Sequence, residues 1–195
     1  MKIIGLTGSI AMGKSTVADF FKQAGISVFN ADEAVHKLYE SEPTLSLIAR
    51  TFPTVIENGK VNRLKLSEIL MNNNEQLQTL EKIIHPLVKK KEKEFIDTAR
   101  QKGEKLVVLD IPLLFETKSE KRVDSVVVVS APRAIQKKRV MIRPNMNKKK
   151  FALINARQMS DEKKRERADF IIDTGKNLEN TRQQVFCLIK SLLKK

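Results

Sequence analysis

Near the start of the chain, Gly8-Ser9-Ile10-Ala11-Met12-Gly13-Lys14-Ser15-Thr16 gathers the residue types that hold a polyphosphate. The spacing matches G-x-x-x-x-G-K-[ST]. Glycine lets the backbone curl until successive N–H groups face phosphate oxygens, and the N-terminus of a following helix adds partial positive charge. Within that cradle, which also takes in Ala11 and Met12, Lys14 sets an ammonium against the β- and γ-phosphates. Ser15 offers a hydroxyl to Mg²⁺, and Thr16 continues the helix and reaches an outer phosphate. The context suits this chemistry: the apolar strand "KIIGL" precedes the loop and an amphipathic helix over Lys14–Ala24 follows it. Of seven glycines in the chain, Gly5, Gly8 and Gly13 fall in this opening.

Passing a phosphoryl group to an acceptor hydroxyl takes three more things: a carboxylate to orient or deprotonate the hydroxyl, an acid to organise metal, and cations to meet the migrating charge. Asp32 follows the strand-like "ISVFNAD", at the sheet edge where open α/β folds bind ligands. It equally suits the cap of a helix over Glu33–Glu40. Asp110 ends "KLVVLDIP" in the place of a metal-organising acid, or else is a strand-end turn residue. Arg139 and Arg143 stand four apart, on one face of a helix suited to close over phosphates; exposed ion pairing is the other reading. A guanine-reading N-K-x-D is absent, because Asn147-Lys148-Lys149-Lys150 lacks the aspartate, and no aspartate begins D-x-x-G. A regulatory GTPase is thereby disfavoured. A nucleic-acid motor is disfavoured by its lack of aromatic surface for base stacking, with no Trp and one Tyr.

The elements that must carry these residues alternate. Strands are expected at Lys2–Leu6, Ser27–Asn30, Lys105–Leu109, Ser125–Ser130 and, more weakly, Phe170–Ile172. "DSVVVVSA" is apolar without alternation, as for a strand covered on both faces. Helical patterns between them predict an α/β fold of the P-loop nucleotide-kinase kind: a five-stranded parallel sheet flanked by helices. Between Asn30 and Lys105 only helical signals appear, among them Leu64, Leu66, Ile69, Leu70, Leu80, Ile83 and Ile84, which predicts a helical insertion beside the sheet. A second, basic helical insertion from about Arg133 to Ala168 reads as a lid. The chain is then one domain, with a core over about residues 1–40, 104–132 and 168–195, an acceptor lobe over about 41–103 and a lid over about 133–167.

Composition sets outer limits. The 195 residues suit one domain with a substantial core, and no apolar run approaches the roughly 20 residues that cross a bilayer. The start does not read as a signal peptide, and the lone Cys187, in "VFCLIKSLL", is expected as a packed, reduced thiol in a cytoplasmic protein. The net charge of +14 favours anionic partners without choosing one, and the mixed-sign runs at Lys89–Glu94 and Lys163–Arg167 read as solvated helix faces.

These residues resemble the dephospho-CoA kinase family nearly end to end. "IIGLTGSIAMGKS" is similar to its opening loop, "GISVFNADEAVHKL" to a segment ending D-A-D, "VNRLKLSEIL" and "LEKIIHPLV" to its R-x-x-L helix and H-P pair, and "LDIPLLFE" to its D-x-P-L-L-[FY]-E signature. "RQMSDEKKRERADFIIDT" resembles the closing R-x-x-Q…A-D-x-x-I-D-N region. The resemblance implies transfer of the γ-phosphate of ATP, with Mg²⁺, to the ribose 3′-hydroxyl of dephospho-CoA. The alternative is a P-loop kinase of another nucleoside or nucleotide. It implies Asp32 as base, Lys14, Arg139 and Arg143 at the phosphates, Ser15 and Asp110 toward metal, and Arg63, His85 and Leu113 as acceptor contacts. A monomer is expected, with no nucleic-acid or membrane partner. His85 before Pro86 also suits a helix start, and His36 reads as an incidental surface histidine. The chain departs from the pattern at Ala11 and Met12, at Asn30 in place of Asp, at Pro144, which should end the lid helix at Arg143, and at Thr174 in place of Asn.

Overall fold

A computed structural model describes residues 1–71, 73–144 and 146–194. In chain order the elements are β1 (Lys2–Thr7), α1 (Lys14–Gln23), β2 (Ser27–Asn30), α2 (Ala31–Leu38), α3 (Thr44–Thr51), β3 (Ile56–Glu57), β4 (Lys60–Val61), α4 (Arg63–Met71) and α5 (Asn74–Gln101). They continue as β5 (Leu106–Asp110), β6 (Ser125–Ser130), α6 (Arg133–Met141), α7 (Lys148–Arg157), α8 (Asp161–Glu166), β7 (Phe170–Asp173) and α9 (Leu178–Lys194). Two compact units result: Met1–Phe29 with Thr98–Lys195, and Asn30–Asp97. The second takes up α2, which the sequence division leaves with the core.

In the first unit the five strands stand in the order β2-β5-β1-β6-β7. Ile4 of β1 lies opposite Val108 on one side and Ser125 on the other, and β6 continues parallel to β7 from Val127↔Phe170 to Ser130↔Asp173. The runs "LVVLD" and "VVVVS" lack alternation because both faces are covered, and every residue of them is buried. On one face Ile4, Leu6, Val108, Val127 and Val129 pack against Val17, Ala18 and Phe21 of α1 and Val185, Leu188, Ile189 and Leu192 of α9. Burying a side chain such as Phe21 or Leu188 stabilises by about 1.5–3 kcal/mol. The parallel arrangement sends the ends of β1, β5, β6 and β7 to one edge, so Thr7, Asp110, Ser130 and Asp173 all finish there.

The buried stripe of α9 runs Thr181, Val185, Leu188, Ile189, Leu192. Cys187 falls off that stripe by its angular position and is an exposed free thiol, contrary to the packed position expected of it. Two charge runs also differ from the solvated faces read in the sequence, since Glu92 is 4% and Lys164 0% exposed.

The second unit is held by Ile48, Phe52, Val55, Leu66, Leu80 and Ile84. Leu64, counted among its helical signals, lies on α4 as read, with its side chain 74% exposed. The insertion is not wholly helical: β3 and β4 form an antiparallel pair, Ile56↔Val61 and Glu57↔Lys60, around Asn58-Gly59 at φ 49° and 72°. Asn-Gly is the pair that accepts two positive φ angles in a tight hairpin. Pro86 sits inside α5, so His85-Pro86 is not a helix start; the helix tolerates the loss of one backbone bond there. Among the described residues no helix is long and apolar enough to cross a membrane.

Candidate active site

The loop after β1 is shaped by close backbone approaches. A Cβ on Gly8 would lie 2.7 Å from the Val129 carbonyl oxygen of β6, so only glycine passes there. Met12 N–H closes a turn onto Ser9 O at 3.1 Å, with Ala11 in that turn at φ 60° and Gly13 beyond it at φ 93°. The left-handed conformation at Ala11 is disfavoured by roughly 1–2 kcal/mol for a residue with a Cβ, and this is the loss of freedom that replacing the usual glycine entails. Two glutamines hold the outer peptide: Ile10 N–H donates to Gln158 Oε1 at 2.9 Å, and Gln136 Nε2 donates to Ile10 O at 2.9 Å. Neither was singled out from sequence. Gln158 lies inside the quoted stretch "RQMSDEKKRERADFIIDT", whereas Gln136 of α6 carries no signal beyond being polar.

Lys14, in the first turn of α1, donates its Nζ to Asp110 Oδ1 at 2.5 Å, and Asp110 is 1% exposed. The two sequence candidates are thus joined at the carboxyl edge of the sheet. The rest of "DIPLLFE" anchors them. Pro112 O accepts from Thr7 Oγ1 at 3.0 Å and from Lys164 Nζ at 3.3 Å. Leu114 and Phe115 are buried, and Leu113 is half-buried. Glu116 Oε1 accepts from Met159 N–H at 2.6 Å and pairs with the buried Lys164 at 3.0 Å.

Beside the loop lies a cavity of about 290 Å³ lined by Ala11, Gly13, Thr16, Arg139, Arg143, Thr174 and Lys176 with Leu178 and Thr181. Arg139 is on α6, but that helix stops at Met141 with Ile142 as its cap, two residues before the stop expected at Arg143. The two arginines therefore do not share a helix face, although both line this cavity. The residue before a proline avoids helical geometry, and here the release from the helix extends back past Arg143. A second cavity of about 390 Å³ is lined in part by Ser9, Ser130, Gln136, Asp161 and Arg165. There Asp161 Oδ2 accepts from Ser130 Oγ at 2.6 Å, and burial pushes the Asp161 carboxyl above its ordinary value against that bond.

In the second unit, Asp32 is exposed in the first turn of α2. It does not cap that helix. Asn30 does, its Oδ1 accepting from Glu33 N–H at 3.0 Å, so asparagine keeps the capping chemistry of the Asp usual there. Asp32 and His36 stand four apart on α2, and Tyr39 is its C-terminal cap. Arg63, the first residue of α4, places Nη2 2.8 Å from Nε2 of His36, so His36 is a surface histidine as read, with a partner the sequence did not point to. Burial raises the Tyr39 hydroxyl pKa and the nearby Arg63 charge opposes it. His85 is exposed midway along α5.

Among the described residues no group of three or more His, Cys, Asp or Glu converges to hold a metal ion. The exposed Ser15 hydroxyl and the single carboxylate of Asp110 nevertheless suit Mg²⁺, which takes one or two protein ligands when phosphates and water supply the rest.

A family profile described as Dephospho-CoA kinase matches residues 2–180. The "Dephospho-CoA kinase" of Bartonella henselae is 83% identical over 194 residues, covering 100% of both chains. Among solved structures, TT1252 from Thermus thermophilus superposes with a TM-score of 0.86 at 30% identity, covering 98% of this chain and 97% of that one. The dephospho-CoA kinase from Campylobacter jejuni gives 0.69 at 25% identity, covering 100% and 98%. With a family match over nearly its whole length, the chain belongs to the dephospho-CoA kinase family.

Proposed function

We propose that this protein transfers the γ-phosphoryl group of ATP to the ribose 3′-hydroxyl of dephospho-CoA, releasing ADP and CoA, as a cytoplasmic monomer. Family membership over the full chain carries this reading. The loop backbone and Lys14 hold the β- and γ-phosphates. Arg139 and Arg143, which line the cavity beside Gly13, meet the charge that spreads over the migrating phosphoryl oxygens, a contribution of roughly 10³ or more in rate. Asp32 receives or orients the proton of the acceptor hydroxyl, worth about 10²–10⁴. Arg63, with His36 as its neighbour, and His85 and Leu113 contact an acceptor that itself carries a pyrophosphate. Ser15 and Asp110 would hold Mg²⁺, which would supply neutralisation of the phosphate charge.

The test is ADP release from ATP·Mg²⁺ with and without dephospho-CoA, alongside CoA formation by mass, for wild type and Asp32→Asn. Stoichiometric CoA is expected from wild type, with kcat reduced about 10²–10⁴-fold in the variant while ATP binding is retained. A folded, ATP-binding protein that makes no CoA would overturn the reading and direct the search to other nucleoside acceptors.

A further inference from the structure

Thr174 stands where the family pattern has asparagine, directly after β7, and is 4% exposed. Its backbone N–H donates to Ser130 O at 2.9 Å, which fixes the residue against the end of β6. Its hydroxyl has one proton. That proton goes to Met12 O at 2.6 Å; Ser130 O, at 3.4 Å, is a distant second acceptor. The oxygen's lone pairs are then left for Arg139, whose Nη1 donates to Thr174 Oγ1 at 3.0 Å while Nη2 donates to Thr174 O at 2.7 Å. One threonine thus grips both arms of a guanidinium and one carbonyl of the phosphate loop.

Each contact has a consequence for a phosphate donor. A trans peptide points its C=O and N–H in opposite directions. With Met12 O drawn toward Thr174, the N–H of Gly13, on the same peptide, is turned away from it. A Cβ on Gly13 would lie only 3.1 Å from Thr174 Oγ1, so the threonine packs closely against this glycine, whose φ is 93°. On the other side, the two bonds to Arg139 take away the freedom of a long side chain and hold its charge on the wall of the same cavity. An O–H that accepts from a cation is a better donor, so the Arg139 and Met12 bonds strengthen one another.

We infer that Thr174 is a positioning residue, which sets the Gly13 N–H and the Arg139 guanidinium together for the phosphates of ATP. This rests on the reading of Arg139 given above. Thr174→Val keeps the branched shape and removes both bonds of the hydroxyl; Thr174→Ser keeps the hydroxyl. Loss of a hydrogen bond to a charged group is worth on the order of 10- to 100-fold, so kcat/KM for ATP should fall by that much in Thr174→Val and by less than about three-fold in Thr174→Ser.

The deciding measurement is the double-mutant cycle with Arg139→Ala, with the melting temperature of every variant recorded. In the Arg139→Ala background the loss from Thr174→Val should shrink at least about five-fold, because only the Gly13 branch remains. An equal loss in both backgrounds, or a serine variant as impaired as valine, would overturn the inference and leave Thr174 as a buried structural residue. Arg139→Ala alone reports separately on the site. If it leaves kcat/KM for ATP unchanged, the role of Arg139 at the phosphates falls, and the arginine branch of the inference with it. A normal cost in Arg139→Ala with no coupling to Thr174→Val sinks the inference alone.

Discussion

At Gly8 and Ala11, positions three apart in the same loop, different physical reasons decide what side chain is allowed. At Gly8 the obstacle is a backbone oxygen 2.7 Å from where a Cβ would be, and backbone of a central strand cannot step aside. Gly8→Ala should therefore lower stability by about 1–3 kcal/mol, a fall in Tm of about 2–12 °C for a chain of this size, read by thermal melting. At Ala11 the terms nearly cancel. Relieving the left-handed strain gains about 1–2 kcal/mol, while removing a buried methyl loses about 0.8 kcal/mol and glycine's greater freedom when unfolded loses about 0.5–1 kcal/mol. Ala11→Gly should shift Tm by less than about 3 °C in either direction. A fall as large as that of Gly8→Ala would show that the Ala11 methyl is a packing residue. This near-balance explains why alanine is accepted at one position of the loop and not at the other. The residues of the loop were legible because their chemistry is local. Thr174 was not, since its partners Arg139 and Met12 lie 35 and 162 residues away in sequence.

The strands of the sheet were readable because β-branched runs bounded by turn residues leave few alternatives, and each begins within one residue of its expected start. The pair β3–β4 was passed over because strands of two residues have no periodicity to detect; its only signal is Asn58-Gly59. Where α6 stops was misjudged because Pro144 disturbs more than the one residue before it. The mixed run containing Lys164 misled for a different reason: α8 is a short helix of six residues, and one of its lysines turns inward to Glu116. That pair ties α8 to the segment after β5, since Lys164 Nζ also reaches Pro112 O. Removing one member of a buried ion pair strands the other, at about 3–5 kcal/mol, whereas replacing both by neutral groups is often nearly neutral. Lys164→Met should thus lower Tm by roughly 6–20 °C, and adding Glu116→Gln, which still accepts from Met159 N–H, should recover most of it. If the double variant melts as low as the single one, packing of the lysine stem rather than its charge is what holds α8.

For the molecule as a whole, 37 basic against 23 acidic side chains leave +14, and the visible ion pairs are mostly exposed ones such as Lys91–Glu94 and Lys93–Asp97, each worth little. An excess of one sign destabilises the compact state by self-repulsion, because folding brings like charges closer than the unfolded chain holds them. Screening shortens from about 10 Å at 0.1 M salt to about 3 Å at 1 M, which is below most distances between surface charges. Raising sodium chloride across that range should therefore stabilise the protein by on the order of 1 kcal/mol, about 2–4 °C in Tm. The phosphate loop offers a rival explanation, since an anion seated on Lys14 would also stabilise the folded state by mass action. Lys14→Met separates the two. General screening predicts the same rise with chloride in the variant as in wild type, growing smoothly with ionic strength. A rise that saturates at millimolar sulfate and vanishes in Lys14→Met would instead assign the effect to the loop, and the surface charge would then have to be balanced by local arrangement rather than by salt.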